Sequence, residues 1–166
     1  GEILVTCGAA ATTPLLVRTR HGLFEGIDGR FVMRQDSNCT RLSVASGNVA
    51  IHSPHTADGL FTQVHAGESY LVRQNEAVFA PPSDMDTGAW ADGLIVTRNM
   101  RLADFLAEVA RYRQGYLGCS SDIADLRLSG VFRLEDTEKL LAILPQTLPV
   151  RLRYRTRWWV SLERQA

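Results

Sequence analysis

Over residues 1–80 the chain alternates apolar and polar positions in short bursts, the period of two that marks half-buried strands. Gly1 to Thr6 alternates in this way, and Pro14 to Thr19 gives a second run before the break at Arg20-His21-Gly22. Leu23 to Ile27 follows, then Asp28-Gly29 as a turn, then Arg30 to Gln35. A polar loop at Asp36-Ser37-Asn38 precedes Thr40 to Val44, and Gly47 separates that run from Asn48 to His52. Beyond a Pro54-to-Gly59 loop lie Leu60 to Val64 and Ser69 to Arg73. Turn signals this frequent predict an all-β roll or solenoid-like unit without helices.

The pattern breaks at Ala80-Pro81-Pro82-Ser83-Asp84, which cannot continue a central strand, so residues 81–89 are expected to link two domains. From residue 90 the period changes. A short strand at Leu94-Ile95-Val96 leads to Leu102, Phe105, Leu106 and Val109, spaced to line one helical face, with Asn99 as expected N-cap and Gly115 as stop. Tyr116 to Cys119 reads as a strand. The sequence repeats with strand Leu126 to Phe132, N-cap Asp136 and a helix carrying Leu140, Leu141 and Leu144, which Pro145 must shorten or kink. Leu102 and Leu106 recur as Leu140 and Leu144, an internal repeat of two βαβ-like units. Val150 to Tyr154 and Trp158 to Leu162 close the chain. The expected class is α+β, with a β unit at 1–80 and a βαβ-repeat domain at 90–166.

Composition narrows the function. Eighteen basic residues balance eighteen acidic ones, which removes the broad attraction that nucleic-acid binding needs. No apolar run reaches the roughly 18–20 residues that cross a bilayer, and the opening residues already read as a strand rather than a signal peptide. The chain is therefore expected to be cytosolic or to follow an upstream targeting segment. Three widely spaced cysteines, Cys7, Cys39 and Cys119, form neither a disulfide framework nor a CxxC metal motif.

Several residues invite chemistry. His52, His55 and His65, with Cys39, suggest zinc, but the closed geometry of three or four ligands is not evident in their spacing, and surface histidines are expected. Asp104 and Glu108 lie one turn apart on the predicted exposed helix face, and with Glu138 they read as solvated carboxylates. Ser129-Gly130 matches no nucleophile elbow, and there is no glycine-rich phosphate loop. Neither catalysis nor a cofactor is expected. Arg151, Arg153, Arg155 and Arg157 alternate on a strand, as a solvated face does. Strand alternation turns Trp158, Val160 and Leu162 inward and leaves Trp159 among charges. A three-residue loop, Arg155-Thr156-Arg157, pairs Tyr154 with Trp158, Leu152 with Val160 and Arg153 with Trp159. Two readings of Trp159 stay open: a ring covered by a cation–π contact, or an interface anchor together with Arg151 and Arg153.

Taken in order, His21-Gly22, Phe31-Val32-Met33-Arg34-Gln35, Thr40-Arg41-Leu42-Ser43-Val44, Gly47-Asn48-Val49 and Ala66-Gly67-Glu68 resemble the second half of the FecR domain. The resemblance continues through Ala89 to Val96, Met100 to Tyr112, Leu128 to Phe132 and Thr147 to Val150, nearly the whole chain. It departs at Glu25 to Gly29, where members have a Leu-Gly-Thr turn. It implies a chain that starts midway through the FecR domain and ends in a fold like the short N-terminal domain of secretins and TonB-dependent transporters. It further implies the periplasmic part of a single-pass inner-membrane sigma-factor regulator of a Gram-negative bacterium. Such a part binds the signalling domain of an outer-membrane TonB-dependent transporter and relays an iron-uptake signal. The sigma factor and the membrane are met by segments that this sequence does not contain. The alternative is a structural, envelope-assembly module of secretin type.

Overall fold

The computed structural model describes residues 1–8, 13–52, 59–74 and 76–165, which divide into two units, Gly1–Ser83 and Asp84–Ala166. The first is one seven-stranded antiparallel sheet: β1 (Glu2–Cys7), β2 (Leu15–Arg18), β3 (Leu23–Gln35), β4 (Thr40–His52), β5 (Leu60–His65), β6 (Ser69–Arg73) and β7 (Glu76–Ala80). The spatial order is β1-β3-β4-β6-β7, with β2 on β3 and β5 on β4. β7 had no counterpart in the expected strands.

The long hairpin β3–β4 corrects the sequence reading. Asp28-Gly29 and Gly47 do not reverse the chain; they bend two continuous strands. Gly29 and Gly47 face each other across the ladder, with φ of 95° and 76°. A Cβ on Gly29 would lie 2.8 Å from the Gly47 Cα, and one on Gly47 would lie 2.8 Å from the Asp28 carbonyl carbon. Two turn signals in register therefore cancel as reversals and add as a kink, with register shifts on either side. The kink gives the hairpin two arms. The arm near the Asp36–Cys39 turn pairs with β1 and β6, and the other pairs with β2 and β5. Side chains from both arms, among them Phe24, Ile51, Phe31 and Leu42, share one buried cluster. His21, in the turn just before β3, is buried, with Nδ1 3.0 Å from the Thr40 hydroxyl. Thr40 in turn donates to the Thr19 hydroxyl.

In the second unit, β8 (Leu94–Arg101), α1 (Leu102–Val109) and β9 (Tyr116–Cys119) are followed by β10 (Arg127–Arg133), α2 (Thr137–Thr147), β11 (Val150–Thr156) and β12 (Trp159–Arg164). β8 and β10 pair antiparallel, and a second sheet runs β11-β12-β9 with β12 parallel to β9. The internal repeat is structural: each helix carries the chain from the two-stranded sheet to the three-stranded one. The strands flanking a helix therefore belong to different sheets, unlike a single-sheet βαβ crossover. Leu102, Leu106, Leu140 and Leu144 are all buried in one cluster with Val160 and Leu162. Residues 84–89, expected as linker, are tied to β8: Met85 bridges to Thr97 and the Asp86 N–H donates to the Val96 carbonyl.

The helix ends follow backbone chemistry. Asn99 is not the N-cap of α1. It lies inside β8 in the left-handed region, φ 53°, which Asn tolerates better than most residues. No side chain caps α1; its first N–H groups donate to the Leu126 and Ala124 carbonyls at 2.7 and 3.1 Å. Asp136 caps α2 as expected, accepting from the Lys139 N–H at 3.1 Å. Pro145 sits in the last turn of α2, so its missing N–H costs one bond near an end that frays anyway, and the helix stops at Thr147. Among the described residues no helix is long and apolar enough to cross a membrane.

Candidate interaction surface

The outer face of the β11-β12-β9 sheet is set by strand parity. Val160 and Leu162 point into the core and are fully buried, which turns Trp159, Ser161 and Glu163 outward. The hairpin register differs from expectation by two residues: Leu152 pairs with Leu162, Arg153 with Ser161, Tyr154 with Val160 and Thr156 with Trp159. A bulge between Tyr154 and Thr156 takes up one residue, and the reversal is a two-residue turn, Arg157-Trp158. The Thr156 hydroxyl accepts from the Trp158 N–H at 3.2 Å and holds that turn. Trp158, expected inward, is instead at the tip and half exposed.

A shift of two preserves the faces but changes the neighbours. Arg153 no longer stands opposite Trp159; Arg151 and Arg153 converge on Glu163 at 3.1 and 2.8 Å. The bond from Arg153, followed by that from Arg151, holds the Glu163 carboxyl below its ordinary range, and Glu163 raises the Arg153 guanidinium in return. Trp159 packs against the Tyr116 ring on the parallel neighbour β9, with centroids 4.7 Å apart, and Arg155 lies 5.9 Å from its ring centre. Trp159 and Tyr116 remain 45% and 49% exposed. A packed aromatic pair that stays wet, with one guanidinium over it and two more on the same face, has the composition of an interface centre. The three residues singled out from sequence thus share one face, with Arg151 and Arg153 joined through Glu163 and Trp159 held by different partners.

On the helix side of the same hairpin lies a pocket of about 480 Å³ between the segment after α1, the start of α2 and the hairpin tip. Tyr112, Arg113, Glu138, Tyr154, Arg157 and Trp158 line it. The Arg113 side chain is only 6% exposed, and its Nη2 donates to Glu138 Oε1 at 2.9 Å. The other Glu138 oxygen accepts from the Tyr154 hydroxyl at 3.1 Å. Burial, reinforced by that bond, pushes the Tyr154 phenol above its ordinary value. The sequence reading missed this site because nothing local distinguishes Arg113 from a surface arginine; its burial and its pairing with Glu138, 25 residues away, appear only in the fold.

The other candidates fall elsewhere. Glu108, expected exposed, is buried on α1 and paired with Arg111, while Asp104 is exposed beside Arg101. Its position next to Phe105 and Val109 rotates Glu108 toward the apolar stripe, where only an ion pair makes a carboxylate tolerable. Ser129 accepts from the Asn99 N–H at 2.8 Å. His52 contacts Glu25 at 2.9 Å and His65 contacts Asn48 at 2.7 Å on neighbouring strands. His55 and most of the Pro54-to-Gly59 loop lie outside the described residues. Among the described residues no three His, Cys, Asp or Glu stand close enough to hold a metal. Burial raises the Cys119 thiol, so it is not an activated nucleophile.

No protein-family model matches the chain, and no curated protein does. Among solved structures, two crystal structures of a candidate anti-sigma factor from Parabacteroides distasonis share its fold over 100% of this chain and 78% of theirs. Their TM-scores are 0.67 and 0.69, at 18% and 17% identity. The chain is β-rich α+β and shares the fold of these structures.

Proposed function

We propose that the chain is the periplasmic sensor part of a sigma-factor regulator. In this reading it binds the signalling domain of an outer-membrane TonB-dependent transporter and relays an iron-uptake signal across the inner membrane. It acts by binding and catalyses nothing. The observation that carries the reading is the exposed Trp159–Tyr116 pair, with Arg155 over the Trp159 ring and Arg151 and Arg153 on the same sheet face. The shared fold with an anti-sigma factor candidate supports the regulatory part. The FecR-like residues from His21 to Val150 support the periplasmic setting and the transporter partner. The β-rich first unit favours a relay over the envelope-assembly module, which has no use for it.

Calorimetric titration of the intact chain with the signalling domains of the organism's transporters tests this. Saturable binding to one of them is expected. Trp159→Ala is expected to weaken it about thirty-fold or more, since a true anchor contributes ~2 kcal/mol or more. Unchanged affinity in Trp159→Ala, with the fold intact by circular dichroism, points instead to pairing along the open edge of β11 or β9. Absence of binding by every signalling domain contradicts the proposal.

A further inference from the structure

We infer that the pocket behind Trp158 is a docking site for an acidic side chain of the partner protein, with Arg113 as its recognition residue. The inference rests on the partner-binding role proposed above and names the contact that role would use beside Trp159.

Three observations combine. First, the Arg113 guanidinium is buried, and its Nη1 has no hydrogen-bond partner, while Nη2 is taken by Glu138. A buried charged donor left unpaired is costly, and native proteins rarely keep one without a use. Glu138 does not relieve it in this geometry: one of its oxygens accepts from Nη2 and the other from the Tyr154 hydroxyl, and neither meets Nη1. Second, the charges do not balance. Arg113 and Arg157 face a single carboxylate, and Arg157 has no carboxylate partner among the described residues; it lies over the Trp158 ring, 5.1 Å from its centre. One more carboxylate would complete the set: Nη1 is sealed from solvent as the chain stands, so the acidic group would part the Tyr112, Tyr154 and Trp158 rings to accept from it, with Arg157 alongside as a charge-assisted donor. Third, the walls are aromatic: Tyr112, Tyr154 and Trp158 offer rings to the stem of the acidic residue and to an apolar neighbour. Trp158 lies at the hairpin tip between the outer face that carries Trp159 and the helix side that carries Tyr154, so a segment covering Trp159 would reach this pocket by wrapping around the tip. Charge complementarity therefore selects an Asp or Glu in an otherwise apolar segment.

The test uses the intact ¹⁵N-labelled chain and two capped tripeptides, acetyl-Leu-Asp-Phe-amide and its Asn counterpart. The acidic peptide is expected to shift the Arg113 Nε–H and Trp158 indole N–H signals in a saturable way, and the Asn peptide is not. Arg113→Lys, which keeps the charge but not the fork, should weaken the acidic peptide at least fivefold, and Arg157→Ala, at an exposed position, should do the same without touching the core. Equal shifts from both peptides, no shift at millimolar peptide, or variants that bind like the parent would overturn the assignment. A second arm separates it from the relay reading. If a transporter signalling domain binds the parent chain and both arginine variants equally, the pocket assignment fails and the relay stands. If the acidic peptide behaves as expected and no signalling domain binds, the relay fails and the pocket stands.

Discussion

Replacing Gly47 by alanine puts the bent hairpin to a quantitative test. At φ 76° an L-residue is strained, at a cost of about 1–2 kcal/mol. The new Cβ also meets the Asp28 carbonyl group, which is backbone on the partner strand and cannot swing aside. Relief requires the ladder to shift at the kink, which sacrifices one or two hydrogen bonds of about 1 kcal/mol each. The expected loss is about 3 kcal/mol. The molecule holds its own control in Gly67, whose φ of 87° is just as left-handed but whose Cβ would meet nothing within 4 Å. Gly67→Ala should therefore show the strain alone, about 1–2 kcal/mol. Because Trp90, Trp158 and Trp159 all lie in the second unit, tryptophan emission does not report this region. Native-state hydrogen exchange along β3 and β4 does. The opening constant there should rise roughly tenfold more in Gly47→Ala than in Gly67→Ala, because the extra cost of about 1.5 kcal/mol is set against ~1.4 kcal/mol per tenfold. Equal effects would refute the claim that Gly29 and Gly47 are required by mutual contact.

Two further outcomes follow from the second unit. Leu141→Ala, at a fully buried position, should cost about 2–5 kcal/mol by urea melting followed by tryptophan emission, while Ile143→Ala on the exposed side of α2 should stay within about 0.5 kcal/mol. Glu163, held low by Arg153 and Arg151, contributes stability that is present above the ordinary carboxylate value of about 4.3 and is lost as pH falls through its lower folded value. Glu163→Gln should flatten the acid limb of the stability profile; a parallel limb in the two proteins would mean that the pairs contribute nothing.

Much of the architecture was legible because it rests on local periodicity. The face of Leu102, Phe105, Leu106 and Val109, the Asp136 cap and the Leu102/Leu140 repeat needed no tertiary information, and the structure keeps each of them. The errors arose where one signal serves two geometries. A glycine with positive φ reads as a reversal, and only the placement of Gly29 and Gly47 at nearly equal distances from the Asp36–Cys39 turn indicates a paired kink. Asn99 suits both a helix cap and a left-handed strand residue, and the Leu126 and Ala124 carbonyls that make a cap unnecessary come from a distant segment. The hairpin register hung on one bulged residue near Arg155, which alternation cannot reveal because a shift of two leaves every face unchanged. Strand parity was therefore enough to put Trp159, Arg151 and Arg153 on one face, but not to find their partners. Arg113 carried no sequence signal at all.

The most direct test of the central claim is a hydrogen-exchange footprint of the intact chain with and without a saturating transporter signalling domain. The account predicts new protection concentrated in residues 112–119, 137–138 and 151–164, which carry the Trp159 face and the Arg113 pocket. Protection confined to residues 1–83, or no binding and hence no footprint with any signalling domain, would contradict it.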